Sequence, residues 1–177
     1  LVLGDAADGS ASQAAIAKAM LAQRPDGVMI VGDLVYGRGR ASEYRKVFFP
    51  VYNAEETPLL RQVPMLGLVG NHDVAFTGFE DAAAYFAYWS LPMNGPALKP
   101  GDVGAMPMKA GVHDAMVAAA GAAYPRMAHH SFDWGFVHWT VLDSNPYVDW
   151  SDARLRAWLE ADLKAAQTAP WRVVALH

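Results

Sequence analysis

Four short apolar runs, each followed at once by a polar side chain, constrain most strongly how this chain can fold. The runs are continuous rather than alternating, which is typical of strands that are covered on both faces. Each run ends, directly or through one glycine, in a residue whose side chain can bind a ligand. The runs are residues 1–4 before Asp5, 28–32 before Asp33, 65–70 before Asn71 and 173–176 before His177.

Helices are predicted between these strands. Residues 12–23 are rich in alanine, with Ser10 or Ser12 as the N-cap. Residues 79–89 carry several aromatic side chains, which indicates a helix in contact with a core. Residues 151–168 give the clearest helical pattern, because apolar side chains recur on one face and Ser151 can cap the first turn.

The second half of the chain changes in character. Residues 131–143 are rich in aromatic and β-branched side chains around Gly135, which predicts two strands joined by a tight turn. Residues 91–121 contain four prolines and show no clear period, so we predict an irregular insert or loop there. Together with the alternating strands and helices, these features predict one α/β domain over residues 1–177.

The composition excludes several classes of protein. Apolar residues make up 53% of the chain and charged residues 18%, which is typical of a globular domain. The net charge is −4 and no basic stripe is present, so nucleic-acid binding is not implied. The absence of cysteine excludes disulfides, thiolate metal sites and cysteine nucleophiles. No apolar run approaches the roughly 18 residues that a membrane span needs.

The four polar residues after the apolar runs suggest a metal site. In open α/β sheets, ligands bind beyond the carboxyl ends of the strands, so Asp5, Asp33, Asn71 and His177 would converge if their strands are parallel neighbours. Carboxylates, a carboxamide oxygen and an imidazole suit Fe, Mn or Zn. Taken singly, an aspartate after a strand is more often a cap or turn residue, so the hypothesis depends on the joint pattern.

Two motifs resemble those of the calcineurin-like metallophosphoesterases: Gly-Asp-Leu-Val-Tyr at residues 32–36 and Gly-Asn-His-Asp at residues 70–73. The Gly-Asp-x-x-Tyr pattern is similar to that of the purple acid phosphatase branch. The resemblance implies a layered αββα sandwich of two mixed β-sheets flanked by helices, the metallophosphatase fold. Residues 174–177 look like the family's Val-x-x-His motif. We expect the catalytic domain to be incomplete here, truncated at its C-terminal end before a Gly-His-x-His motif.

Carried over position by position, the resemblance implies a binuclear metal centre that holds Fe together with Zn, Mn or a second Fe. Asp5 would bind the first metal, and Tyr36 would bind the same metal as a phenolate. Asp33 would bridge both metals. Asn71 and His177 would bind the second metal.

The resemblance also implies a function, the hydrolysis of phosphoric monoesters or diesters by a metal-bound hydroxide. His72 would be catalytic, because an imidazole titrates near neutrality and can give a proton to the leaving alcohol. Asp73 is a candidate to orient it. The implied partner is a phosphorylated small molecule or ester substrate, and the resemblance favours a periplasmic or secreted protein. The alternative is a non-catalytic binding protein that retains the fold.

Some positions leave alternatives open. The first family motif is usually Asp-x-Gly or Asp-x-His, whereas Ala7 stands here and Asp8 offers a competing carboxylate. We prefer Asp5 as the ligand because it directly ends its strand. Asn145, which precedes Pro146, either shapes the edge of the site or forms a turn.

Overall fold

Two three-stranded β-sheets form the centre of the protein. The computed structural model describes residues 1–74, 84–98, 114, 118 and 120–177. The first sheet has the order β1-β2-β3, and its described strands are all parallel: β1 (Val2–Leu3), β2 (Val28–Val31) and β3 (Met65–Leu68). The second sheet has the order β4-β5-β6 and is mixed: β4 (His130–Trp134), β5 (Val137–Val141) and β6 (Trp171–Ala175).

Helices connect and cover these strands. A π-helical turn at Tyr44–Phe48 links α2 to α3, and 3₁₀ turns lie at Gly121–Ala123, Arg126–Ala128 and Ala166–Thr168. The α-helices are α1 (Ala11–Ala22), α2 (Ala41–Glu43), α3 (Phe49–Tyr52), α4 (Leu59–Gln62), α5 (Ala84–Tyr88) and α6 (Ala153–Ala165). Within the described residues, no helix is long and apolar enough to cross a membrane.

The predicted N-cap is present in α1 and differs in α6. Ser10 caps α1, because its hydroxyl accepts a hydrogen bond from the backbone N–H of Gln13 at 3.2 Å. The predicted cap of α6, Ser151, is wrong. Asp152 is the N-cap instead, and its carboxylate accepts the backbone N–H of Arg154 at 2.8 Å.

Apolar side chains fill the layers on both sides of the first sheet. The larger core joins that sheet to the helices, and buried side chains such as Ile30, Tyr44 and Tyr85 belong to it. A smaller cluster, which includes Met29 and Val141, lies between the two sheets. The predicted αββα sandwich is therefore confirmed. The sequences of β2 and β3 are continuous apolar runs because both strands are covered on both faces.

The predicted hairpin is also present. β4 and β5 pair antiparallel, and Gly135 at their junction has a φ of 61°, a left-handed conformation that glycine adopts without strain. Of the predicted irregular segment, residues 91–98 contain no helix or strand, and most of residues 99–119 lie outside the described residues. The first five residues of the predicted helix 79–89 also lie outside them.

The condition that all four strands are parallel neighbours holds for three of them. The strand that precedes His177, β6, is not a neighbour of the other three, because it pairs in parallel with β5 in the second sheet. The segment between β5 and β6 forms α6, and a crossover through a helix is the usual way for a chain to join two parallel strands. His177 therefore approaches the ends of β1–β3 from the facing sheet.

His130, at the start of β4, is a buried histidine whose effect on the stability of the fold depends on pH. Its ring Nδ1 lies 3.1 Å from the Met127 carbonyl oxygen, and its side chain has no exposure to solvent. Burial lowers the pKa of His130 to about 4, against an ordinary value of 6.5. The unfolded chain therefore binds more protons than the folded chain between these two values, and acid destabilises the fold in that window.

We expect the His130→Gln variant to lose less stability on acidification than the wild type. When the pH falls from 7 to 4.5, the unfolding free energy of the wild type should drop by about 2–3 kcal/mol more than that of the variant. Urea denaturation at both pH values measures it. His138→Gln is the control with the opposite sign, because the hydrogen bonds that the His138 ring donates to Asp133 and Asp162 outweigh burial and raise its pKa. Equal acid sensitivity of the wild type and His130→Gln would contradict the prediction.

Candidate metal centre

Side chains from the ends of four strands gather at one place. Asp5 follows β1, Asp33 follows β2, Asn71 follows β3 and His177 follows β6. Ligand atoms of Asp5, Asp33 and His177 all lie within 4.8 Å of one another. The amide oxygen of Asn71 lies 3.2 Å from the His177 ring. Both sheets therefore contribute donors to a single cluster.

His177 presents one ring nitrogen to this cluster. Its Nδ1 lies 2.8 Å from the carbonyl oxygen of Val31, which fixes the proton on that nitrogen. Its Nε2 faces Oδ1 of Asn71 at 3.2 Å and Oδ1 of Asp33 at 3.4 Å. Two acceptor oxygens at these distances attract either a proton on Nε2 or a metal ion between the three atoms. The hydrogen bond of the other ring nitrogen to a backbone carbonyl is the usual support of a metal-binding histidine.

The two aspartates have an unusual backbone. Asp5 has a φ of 56° and Asp33 a φ of 49°, so both lie in the left-handed region that few non-glycine residues adopt. Two hydrogen bonds hold them side by side: Asp5 N–H donates to the Gly32 carbonyl at 3.1 Å, and Ala6 N–H donates to the Asp33 carbonyl at 2.8 Å. The strained turns therefore direct both carboxylates toward the same point.

Glycine at position 32 leaves the space that His177 fills. A Cβ at this position would lie 2.3 Å from the His177 ring, and the φ of 85° disfavours any other residue. The histidine can approach the end of β2 only because residue 32 has no side chain.

Tyr36 lies against Asp5 on the other side of the cluster. Its hydroxyl donates a hydrogen bond to the Asp5 carboxylate, and its ring centroid lies 4.7 Å from that of His72. The hydrogen bond to Asp5, followed by burial, raises the pKa of Tyr36 well above its usual range. The phenol therefore keeps its proton while it is bonded to Asp5, and a cation would have to replace that proton to use Tyr36 as a ligand.

His72 is held at the edge of the cluster by two contacts. Its backbone N–H donates to Oδ1 of Asp33 at 2.9 Å, and its ring Nδ1 lies 3.3 Å from the carbonyl oxygen of Gly37. The group that orients the His72 ring is therefore a backbone carbonyl. Asp73, the candidate from the sequence, does not take this role.

Asp73 points into the protein instead. Its carboxylate has no exposure to solvent and accepts backbone N–H groups from Gly70 at 2.9 Å, Leu34 at 3.0 Å and Val35 at 3.3 Å. Burial raises the pKa of Asp73 to about 7, although these three hydrogen bonds oppose the shift. Sequence reasoning missed this role, since the motif suggests an active-site residue and gives no direction for the side chain.

Asn145 joins a second buried network beside the cluster. Its side-chain N–H groups donate to Asp143 at 2.8 Å and to the Gly70 carbonyl at 3.4 Å. A small cavity of about 280 Å³ opens next to it, lined by Asn71, Ser144, Asn145, Pro146 and His177. Asn145 therefore lies at the edge of the cluster, and it also begins a turn, because its carbonyl oxygen accepts the backbone N–H of Val148 at 2.9 Å. A larger, mostly apolar cavity of about 420 Å³ opens between the sheets near Leu1 and Trp139. None of the candidate metal ligands lines it.

The competing carboxylate from the sequence is engaged elsewhere. Asp8 accepts the backbone N–H of Ser10 at 2.8 Å and so stabilises the turn that precedes α1. The hydrogen bonds to Ser10 lower the pKa of Asp8. Among the described residues, the group of acids and histidines that could hold a metal ion contains Asp5 and not Asp8.

The sequence and the fold place this chain in a known family. The family model for calcineurin-like phosphoesterases matches residues 1–177, so the chain belongs to the calcineurin-like phosphoesterase family. A solved structure of the purple acid phosphatase PPD1 isolated from yellow lupin (Lupinus luteus) seeds is similar, with a TM-score of 0.56 and 17% sequence identity. That likeness confirms the predicted fold. It covers 99% of this chain and 29% of the lupin chain, and no curated protein matches.

We expect Gly70→Ala to disturb the candidate metal centre. A Cβ at residue 70 would lie 2.1 Å from the backbone nitrogen of Asp33 and 2.3 Å from its Oδ1, so Asp33 would have to move. The variant should lose about 1–3 kcal/mol of stability by overpacking and bind Mn²⁺ more weakly. Urea denaturation and isothermal titration measure the two effects.

Gly135→Ala is the matched control for this variant. Apart from its neighbours in the chain, no atom of the described residues lies within 4 Å of a Cβ at residue 135, so the cost of this substitution comes from the positive φ, about 1 kcal/mol. Its Mn²⁺ affinity should equal that of the wild type. The account of the site is wrong if Gly70→Ala also binds Mn²⁺ with wild-type affinity.

Proposed function

We propose that this chain forms part of the active site of a metal-dependent phosphoric ester hydrolase with a two-metal centre. One observation carries the proposal: ligand atoms of His177 and of the two carboxylates Asp5 and Asp33 lie within 4.8 Å of one another, and the Asn71 amide oxygen lies 3.2 Å from His177 Nε2. Membership of the calcineurin-like phosphoesterase family supports the same function.

The positions of the donors fit a centre that is divided around Asp33. Asp5 and Tyr36 lie together on one side, joined by a hydrogen bond. Asn71 and His177 lie together on the other side, 3.2 Å apart. Asp33 is within reach of both groups and is the residue that would bridge two ions. Oxygen and nitrogen donors of this kind suit Fe, Mn and Zn, and a tyrosine phenol beside Asp5 favours Fe(III) at the first position.

Cations held there would polarise a water molecule and neutralise negative charge on the transferring phosphoryl group. The protein's own residues position the candidate general acid, His72. The Asp33 carboxylate fixes the backbone of His72, and the Gly37 carbonyl occupies the ring Nδ1, so the other ring nitrogen is free to act at the substrate. His72 would contact a phosphate oxygen or give a proton to the departing alcohol.

The cavity beside Asn71 and His177 supports a substrate of modest size. Its volume of about 280 Å³ lies just below the range of about 300–1,000 Å³ for pockets that bind small molecules. A phosphorylated small molecule fits this space next to the candidate ligands. Monoesters and diesters are both compatible with it.

Purified full-length protein should hydrolyse 4-nitrophenyl phosphate, bis(4-nitrophenyl) phosphate or both. A chelator should abolish turnover, and added Fe, Mn or Zn should restore it. Asp33→Asn should lose bound metal and activity together. His72→Ala should keep the metal and lower kcat by roughly 10²–10⁴-fold, the usual contribution of a general acid.

Asp133→Asn is the control for these variants. Its side chain is 76% exposed on β4 and pairs with His138, away from the ligand cluster, so activity should not change. Turnover that survives the chelator would contradict the proposed function. Metal-loaded protein that hydrolyses neither ester would favour the non-catalytic binding protein.

A further inference from the structure

Asp73 is a buried carboxylate for which the proposed reaction has no use. It is fully buried, and its side chain accepts hydrogen bonds from Leu34, Val35 and Gly70 rather than from any of the five candidate metal ligands. Burying an ionised carboxylate is costly unless it is well hydrogen-bonded, so its partners indicate what the residue stabilises. All of those partners are backbone N–H groups of the two loops that carry Asp33 and Asn71.

The two carboxylate oxygens divide their hydrogen bonds between these loops. Oδ1 accepts from Leu34 N–H at 3.0 Å and Val35 N–H at 3.3 Å, both in the loop after β2. Oδ2 accepts from Gly70 N–H at 2.9 Å, in the loop after β3, and from Leu34 N–H at 3.1 Å. Successive backbone N–H groups that converge in this way form a concave site for an anion. The side chain of Asp73 therefore joins the two loops.

Each of the joined residues is adjacent to a candidate ligand. Leu34 directly follows Asp33, and Gly70 directly precedes Asn71. The two loops are in close contact at this point, because a Cβ on Gly70 would lie 2.1 Å from the Asp33 backbone nitrogen. A change in the link of only a few tenths of an ångström would change the separation of the two ligands.

We propose that Asp73 is a positioning residue that sets the distance between Asp33 and Asn71, and thereby the affinity of the centre for its cations. This inference rests on the proposed function of the site. Residues that hold metal ligands in place without touching the metal commonly affect affinity by about 10–100-fold.

Asp73→Asn is the sharpest test of this link. An amide has the same shape as the carboxylate but only one acceptor oxygen, and its NH₂ group would face a backbone N–H. With its oxygen in the place of Oδ1, the variant loses the bond from Gly70; with its oxygen in the place of Oδ2, it loses the bond from Val35 and keeps the 3.1 Å bond from Leu34. In both cases the NH₂ group faces a backbone N–H of one loop, so the link is weakened with little change in volume.

Asp162→Asn is the matched control. Asp162 is another largely buried carboxylate, and it accepts hydrogen bonds from Ser131, Thr140 and His138 in the second sheet. Its loss should also lower the stability of the protein, because hydrogen bonds to a buried charge are removed. None of its partners is adjacent to a candidate metal ligand.

The experiment compares the full-length wild type with both variants, using Mn²⁺ as the probe. Isothermal titration gives the Kd, and thermal unfolding with and without saturating Mn²⁺ gives the rise in Tm that binding produces. We expect both variants to have a lower Tm without metal. Only Asp73→Asn should show a smaller rise with Mn²⁺, together with a Kd weakened about 10–100-fold.

The outcomes separate the two proposals. Wild-type affinity and a wild-type Tm rise in Asp73→Asn would overturn the positioning role and leave the metal centre standing. A wild type that does not bind Mn²⁺ at all would overturn the proposed function, and this inference with it. If Asp73→Asn does not fold, Asp73→Glu replaces it, because it keeps both acceptor oxygens but moves them by one methylene. Wild-type affinity in Asp73→Glu would also overturn the positioning role.

Discussion

The backbone of Asp33 is the constraint on which the candidate site depends. Its left-handed conformation, with a φ of 49°, turns the chain sharply at the end of β2 and places its carboxylate among donors from both sheets. A non-glycine residue in this conformation costs about 1–2 kcal/mol. The surrounding contacts must over-determine it: Ala6 N–H binds its carbonyl, His72 N–H binds its Oδ1, and the Asp73 carboxylate binds the N–H of the next residue.

The fold explains how such a turn is tolerated. The residues on both sides of Asp33 are buried, with Ile30 in β2 and Leu34 directly after the turn in the larger core. Burial of a side chain of this size contributes about 1.5–3 kcal/mol, which is comparable with or larger than the strain. Burial in the core therefore stabilises the unfavourable backbone conformation of Asp33. That conformation in turn directs the candidate ligands toward one another. Strained residues that persist in this way cluster at functional sites.

The sequence predicted those features that depend on short-range patterns. The continuous apolar runs predicted the strands, and Gly135 predicted the hairpin turn. The polar residues that follow the runs predicted the members of the ligand cluster. It did not give the sheet to which β6 belongs, because strand pairing depends on contacts between distant residues. It also could not show that Asp73 points inward or that Gly37 orients His72, since both depend on which groups meet across two loops.

Crystallography with anomalous scattering at the Fe, Mn and Zn edges tests the central claim most directly. In crystals of the metal-loaded full-length protein, the account predicts two anomalous peaks roughly 3.5–4 Å apart, with a carboxylate oxygen of Asp33 between them. One peak should lie next to Asp5 and Tyr36, and the other next to Asn71 and His177. No peak at these residues, or metal bound only elsewhere on the protein, would contradict it.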